Sequence, residues 1–448
     1  CWCDCRSQPS SPSDLRFWPW LGDELFRDRP DDARRPGMPR SVLEEVAKVP
    51  QLLEKLLIIG FLLCLDIVLH ELSFTPLQAA YALPKLAARG VGAARSSVVG
   101  PARGAPRQFA LSVTEQGDLV RITLLILNVV LTLALVDVSR IYHYIRGESF
   151  LKLYVIFNML EMFERWCRSI GVDLFDLVMS SVRHPWHWLL LKYASTLVYC
   201  FTHSMTHLLR VLLLQVAINT SSNAVFLLIV TNNFAEIKST VFKRYEAKSL
   251  FPIIASDIVE RFYLLLDIFF VLARLSISPH RGTYSAPDIA FWLFMLVLVE
   301  LGTDWIKFCL IVKFSELKAS TLETYKEVLI ADILVCRSLH IGGSDKAGPP
   351  AAPFRGIHSF SHSLQRRLGF SGVPMTTILV CHFVMLARSP CSAVLRWPAA
   401  TALLFVAALF VLSLLAKTLL SVVMLGFAAR RRSRIPQGME LFPKIKCL

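Results

Sequence analysis

Three ionisable residues interrupt one of the most apolar runs of the chain. Glu300, Asp304 and Lys307 stand at i, i+4 and i+7 between Ile289 and Val312, which places them on one face of a helix. A charge at membrane depth is costly, so such a face turns toward a bundle interior or a wet cavity. Three chemistries fit the spacing: a stripe paired within the protein near the cytosolic end, with Asp304 and Lys307 compensating each other; a substrate or ion path; or contact with a partner protein. The paired stripe asks least of the sequence and is preferred. Asp66, Asp137, Asp267 and Lys417 are single charges near the ends or interiors of apolar blocks, and snorkelling of its long stem accounts for Lys417. Two intramembrane carboxylates can share a proton and activate water. Asp137 in L-V-D-V-S and Asp304 in L-G-T-D-W match neither a Tyr-Asp nor a Gly-x-Gly-Asp context, so an aspartyl protease is rejected.

His203 and His207 put two imidazoles on one helix face, a spacing that zinc uses. No Glu follows His203 as H-E-x-x-H requires, and nearby Arg210 repels a cation. Packing or interhelical hydrogen bonding is therefore preferred for the pair. The sequence contains no Walker-type Gly-rich loop, no G-x-S-x-G elbow and no kinase signature. The reading is non-enzymatic, with no cofactor and no metal.

The elements that must position these residues converge on a polar island from Thr231 to Phe262, between two apolar blocks. Phe234, Ile237, Val241 and Tyr245 recur at helical spacing, with Glu236, Lys238, Lys243, Arg244 and Lys248 on the other faces. That pattern predicts an amphipathic helix beside a membrane. Pro252 interrupts it, and Asp257 with Glu260 three residues on reads as a capping box that opens a new helix into the apolar run at Phe262. A bend is expected near Phe251 and Pro252.

The island text N-N-F-A-E-I-K-S-T-V-F-K-R-Y, followed by S-D-I-V-E-R-F, resembles the signature of the transmembrane anterior posterior transformation family, eukaryotic polytopic membrane proteins that include the pollen-defective-in-guidance type. Further matching stretches are V-P-Q-L-L-E-K-L-L-I-I-G-F-L-L-C-L-D at 49–66, Y-H-Y-I-R-G-E-S-F-L-K-L-Y-V-I-F-N-M-L-E at 142–161, L-L-L-Q-V-A-I-N-T at 212–220 and D-W-I-K-F-C-L-I-V-K-F at 304–314. The resemblance covers roughly 49 to 425 apart from the loops. It singles out Asn232, Asn233, Phe234, Glu236, Lys238, Phe242, Lys243, Arg244, Asp257, Glu260 and Arg261 as a signature and interaction surface. It implies no catalytic motif. It does imply a role in folding or quality control of secretory proteins in the endoplasmic reticulum, with a SUN-like partner carrying luminal work, and developmental phenotypes in multicellular relatives.

Composition places the chain in the membrane class: 448 residues, 54% hydrophobic, 18% charged and a mean hydropathy of +0.52. The fold expected is all-α, a polytopic transmembrane helical bundle of six to eight membrane segments with added amphipathic interfacial helices. The net charge of +14 lies between apolar blocks and reads as topogenic Lys and Arg. No basic stretch interleaves aromatics on a soluble module, so nucleic acid is excluded as a partner. Eleven cysteines, scattered singly except for Cys1, Cys3 and Cys5, give no disulfide framework. The chain opens without Met and is read as an incomplete or extended N-terminus. With no cleavable signal visible, insertion is expected to use an internal anchor.

In order, residues 1–40 read as disordered and 41–82 as a first membrane segment, begun by a Ser41 and Glu44 capping box and short for a full crossing. Residues 83–118 read as a flexible linker, 119–340 as the bundle core holding the island at 231–261, 341–373 as a mobile loop, 374–428 as a membrane hairpin and 429–448 as a basic tail. Within the core, 150–179 is expected to form one or two interfacial helices. Segments 216–260, 313–373 and 429–448 carry four, eight and six Lys or Arg, whereas connectors 277–287 and 388–398 carry one and two. Island, long loop and C-terminus are therefore assigned to the cytosol.

The closing K-I-K-C-L, with Lys444 and Lys446 third and fifth from the end, looks like the dilysine address read by a retrograde vesicle coat. Together these readings favour a multi-pass scaffold of the endoplasmic reticulum membrane. The alternative is a transporter or lipid-moving protein that uses the Glu300, Asp304 and Lys307 face, although no inverted repeat of broken helices supports it. A third reading makes the island a sensor of anionic membrane lipids, each basic residue contributing about 1 kcal/mol.

Overall fold

The computed structural model describes residues 38–86, 113–181, 186–220, 233, 235–277, 286–336, 365–388 and 399–431. Every regular element among them is helical. Of the residues singled out above, Cys1, Cys3, Cys5, Asn232, Phe234, Lys444 and Lys446 lie outside this set, as do most of the segments read as disordered (1–40), linker (83–118), mobile loop (341–373) and basic tail (429–448).

Among the described residues, one side of the molecule is organised around the most N-terminal helix rather than around the central island. Helix α1, Met38–Leu69, continues through a π turn at His70–Phe74 into 75–86. Leu53, Leu56, Leu63 and Ile67 fall at helical spacing and are fully buried. Around α1 pack α6 (Phe251–Ile277), α7 (Ala286–Phe314), α8 (Ser320–Cys336), α9 (Gly372–Ala387) and α10 (Ala399–Arg431). Ile254, Ile258 and Phe262 of α6, Phe308 and Ile311 of α7, and Tyr325 and Leu329 of α8 share one core with it. Residues 56–69 thus lie within one continuous rod. Ser41 lies inside the helix rather than at its cap, since helix geometry begins at Met38.

The other side of the molecule is built from α2 (Val113–Leu135), α3 (Val138–Arg146), α4 (Phe150–Ser181) and α5 (Trp186–Thr220). Asp137 caps α3, accepting from Ser139 N at 3.1 Å and Arg140 N at 3.3 Å. Residues 150–181 form a single helix, with Leu153 and Leu160 against α5 and α6 and Met159, Phe163 and Trp166 exposed. Helices α4 and α5 approach closely because residue 171 is Gly: a Cβ there would run into the Tyr199 hydroxyl. Between α2, α5 and α9, buried Asn128 donates to Ser204 Oγ and to Thr377 Oγ1, each at 3.0 Å, the kind of polar clasp that joins helices in hydrocarbon.

Among the described residues three segments are long and apolar enough to cross a membrane: Glu115–Leu135, His187–Ala217 and Thr401–Arg431, with Gly372–Ala387 a shorter apolar helix. The expected six to eight spans are not reached by length and composition alone, because α6 and α7 each carry several charges. Helix α10 exposes Leu404, Val411, Leu415, Leu419 and Val422, as a rod facing lipid does. Its one lysine does not snorkel. Lys417 turns inward to Asp66 Oδ2 on α1 at 2.6 Å, and Ser421 donates to Asp66 Oδ1 at 3.2 Å.

Candidate functional site: a buried ion network

The island is shorter as a helix than its periodicity predicts. Helical geometry covers 235–241, and turns carry the chain to Leu250. Tyr245, expected on the helical stripe, lies beyond it and donates its backbone N–H to Ser315 Oγ at the end of α7, at 3.0 Å. Helix α6 then starts at Phe251 with Pro252 in its first turn, where a missing N–H is harmless. Asp257 and Glu260 therefore sit inside the helix, and their carboxylates are free for work other than capping.

Their work is to meet α7. Lys307 Nζ lies 2.7 Å from Asp257 Oδ2, 3.0 Å from Glu236 Oε1 and 3.4 Å from Asp304 Oδ1. Asp304 Oδ2 accepts from Arg261 Nε at 2.7 Å, and Arg261 Nη1 reaches Glu54 of α1 at 3.0 Å. Trp305 Nε1 donates to the same Glu54 oxygen at 2.8 Å. Glu300 leaves the stripe to accept from Asn233 Nδ2 at 3.3 Å. Asn233, Glu236, Asp257 and Arg261 of the signature thus join the charged face of the span in one structure. Glu236 is drawn out of the polar face assigned to it, and burial holds its carboxyl above the ordinary range against the pull of Lys307.

The network extends along α6 to α4. Glu260 accepts from Arg168 Nη2 at 3.0 Å and from Ser256 Oγ at 2.9 Å, and Arg168 Nε lies 2.8 Å from Glu164. Beyond Glu164, on α5, His203 and His207 face each other with their Nε2 atoms 3.1 Å apart. Arg210, one turn further, is paired with Asp267 at 3.2 Å.

By contrast Lys238, Lys243, Arg244 and Lys248 are exposed, and Phe242 is 77% exposed. The signature therefore divides into an outward basic and aromatic edge and an inward ionic set. Glu54, Glu164 and Arg168 complete that inward set and carry no mark in the sequence beyond being charges on largely apolar helices. A cleft of about 240 Å³ opens between α1, α6 and α7, walled by Leu57, Phe61, Leu264 and Val297, with Glu54, Arg261 and Glu300 also lining it. Arg261 Nη2 is buried without a hydrogen-bond partner.

A family model described as "Eukaryotic membrane protein family" matches residues 111–433. The chain is 28% identical over 389 residues to the transmembrane anterior posterior transformation protein 1 homolog of Danio rerio, covering 84% of this chain and 63% of that protein. The homolog of the same name in Homo sapiens is 28% identical over 343 residues, covering 74% of this chain and 55% of its own length. "Endoplasmic reticulum membrane protein 65" of Schizosaccharomyces pombe is 27% identical over 391 residues, covering 82% of this chain and 56% of that protein. The chain thus spans from about half to three fifths of these relatives' length. No solved structure matches it.

Proposed function

We propose that this chain, which belongs to the eukaryotic membrane protein family that includes the transmembrane anterior posterior transformation proteins, is a non-enzymatic scaffold of the endoplasmic reticulum membrane. In this reading it supports folding or quality control of secretory proteins together with a SUN-like membrane partner. The observation that carries it is the closure of the charged face: Lys307 is 1% exposed among three carboxylates from the island, α6 and α7. Buried charges bound to one another fix the positions of helices, whereas charges that serve a permeating species must be reached by it. The name of the fission yeast relative supports the location. Retrieval through Lys444 and Lys446 by a vesicle coat belongs to the same proposal.

Affinity purification of the full chain from native membranes tests it. The scaffold reading expects a stoichiometric single-pass partner with a luminal domain. Recovery of the chain with lipid alone argues against the partner. Replacing Lys444 and Lys446 by serine is expected to release the chain from the reticulum; unchanged location removes the retrieval step.

The second reading, a lipid-moving protein, draws on the cleft beside Arg261 and Glu300. Its expected signature is lipid movement in liposomes that Glu300→Gln abolishes.

A further inference from the structure

We infer that Glu164, His203 and His207 form a zinc site that ties α4 to α5 inside the bundle. The two histidines alone do not hold a metal, and Cys200, one turn before His203, is not among the residues whose ligand atoms gather with theirs. The fold supplies it from another helix: one ligand atom from each of Glu164, His203 and His207 lies within 4.8 Å of the others, with all three residues buried. Two nitrogens each about 2.0–2.1 Å from a tetrahedral zinc ion stand about 3.3 Å apart. The two Nε2 atoms are already at 3.1 Å, so rotation of the Glu164 side chain completes a three-residue set.

Two further observations point the same way. His203 Nδ1 lies 2.9 Å from the Tyr199 hydroxyl. With Nδ1–H donated to the tyrosine oxygen, the Nε2 lone pair is free and aimed at the metal position, the outer-shell arrangement that fixes a ligating histidine. Meanwhile Glu164 is 1% exposed, and neither of its oxygens makes an aligned hydrogen bond, although Arg168 Nε stands 2.8 Å from one of them. Such a carboxylate gains a strong partner from a cation on its free side. The repulsion expected from Arg210 is cancelled by its pairing with Asp267. Arg168 keeps Glu260 when Glu164 turns. On binding, His207 moves its proton from Nε2 to Nδ1, which has no protein partner, and both Nε2 lone pairs face the ion. Three protein ligands leave the fourth tetrahedral position to a water molecule, and the site is independent of the scaffold reading.

The test uses the full chain in detergent, stripped with a chelator and dialysed against zinc ion. About one zinc per chain by elemental analysis, with a rise in thermal midpoint that chelator reverses, supports the site. His207→Ala and Glu164→Gln are expected to lose the zinc. Tyr199→Phe keeps the ring packed and is expected to weaken zinc binding by about 10–100-fold. Cobalt substitution gives a visible ligand-field spectrum that His207→Ala removes. Stripped wild-type chain that takes up no zinc overturns the inference, and that result stands even if a variant fails to fold. Zinc retained undiminished in all three variants also overturns it, because the metal then sits elsewhere.

Discussion

Lys307 Nζ on α7 stands 2.7 Å from Asp257 Oδ2 on α6, with the two side chains 1% and 3% exposed. Glu236 and Asp304 complete its shell. Removing one member of a buried ion set is costly because the others are left uncompensated. Lys307→Met is expected to destabilise the chain by about 3–5 kcal/mol, read as a fall in thermal midpoint of the purified protein in detergent. A midpoint within the error of wild type contradicts the buried network.

Lys417 and Asp66 join α10 to α1 in the same way. Each single change, Lys417→Met or Asp66→Leu, is expected to cost about 3–5 kcal/mol. The double variant should lose less than the sum, with a coupling of about 0.5–3 kcal/mol. Strict additivity would mean that the lysine reaches the interface, as its sequence position first suggests.

Gly60 on α1 meets Ile258 of α6 so closely that a Cβ would stand 2.5 Å from Ile258 Cδ1. Overpacking of this kind typically costs about 1–3 kcal/mol. Gly60→Ala should lower the thermal midpoint, and Gly60→Ala with Ile258→Val should recover part of the loss. No recovery would place the strain elsewhere than in the α1–α6 contact.

Asp332 on α8 has its carboxyl pushed up to about 6 by burial, against the pull of Arg367, whose Nη2 lies 3.1 Å from Asp332 Oδ1. A raised folded-state value means that the folded chain binds the proton more tightly than the unfolded chain does. Stability is therefore expected to fall as pH rises from about 4, the unfolded carboxylate range, through about 6. Asp332→Asn should flatten that slope in thermal midpoints measured across the window. A wild-type slope unchanged by the substitution assigns the effect to other groups.

Much of this fold was legible in apolar runs and their spacing. The long rods Glu115–Leu135, His187–Ala217 and Thr401–Arg431 stand out because lipid-facing helices must be apolar over their length. The island was legible only in part. Periodicity set Val241 on an apolar face beside the membrane, whereas it is buried in the protein, and it put Glu236 among the solvated residues, since nothing local announces a lysine 71 positions away. Asp257 and Glu260 fit a capping pattern equally well, and only the start of α6 at Phe251 decides against it. Glu54, Glu164 and Arg168 were invisible for the same reason: a charge on an apolar helix says that a partner is needed, not which one. The role of α1 as hub was hidden because centrality is a property of contacts made from α6 to α10, not of the segment's own text.

The account's central claim is that the charges of α6 and α7 hold helices together instead of lining a path. Reconstitution of wild-type, Lys307→Met and Glu300→Gln chains into liposomes, with flux of ions and labelled lipid recorded beside the thermal midpoint, tests it most directly. The account predicts no flux above empty liposomes for the wild type and a lowered midpoint for Lys307→Met. Wild-type flux that Glu300→Gln abolishes while the midpoint stays unchanged would contradict it.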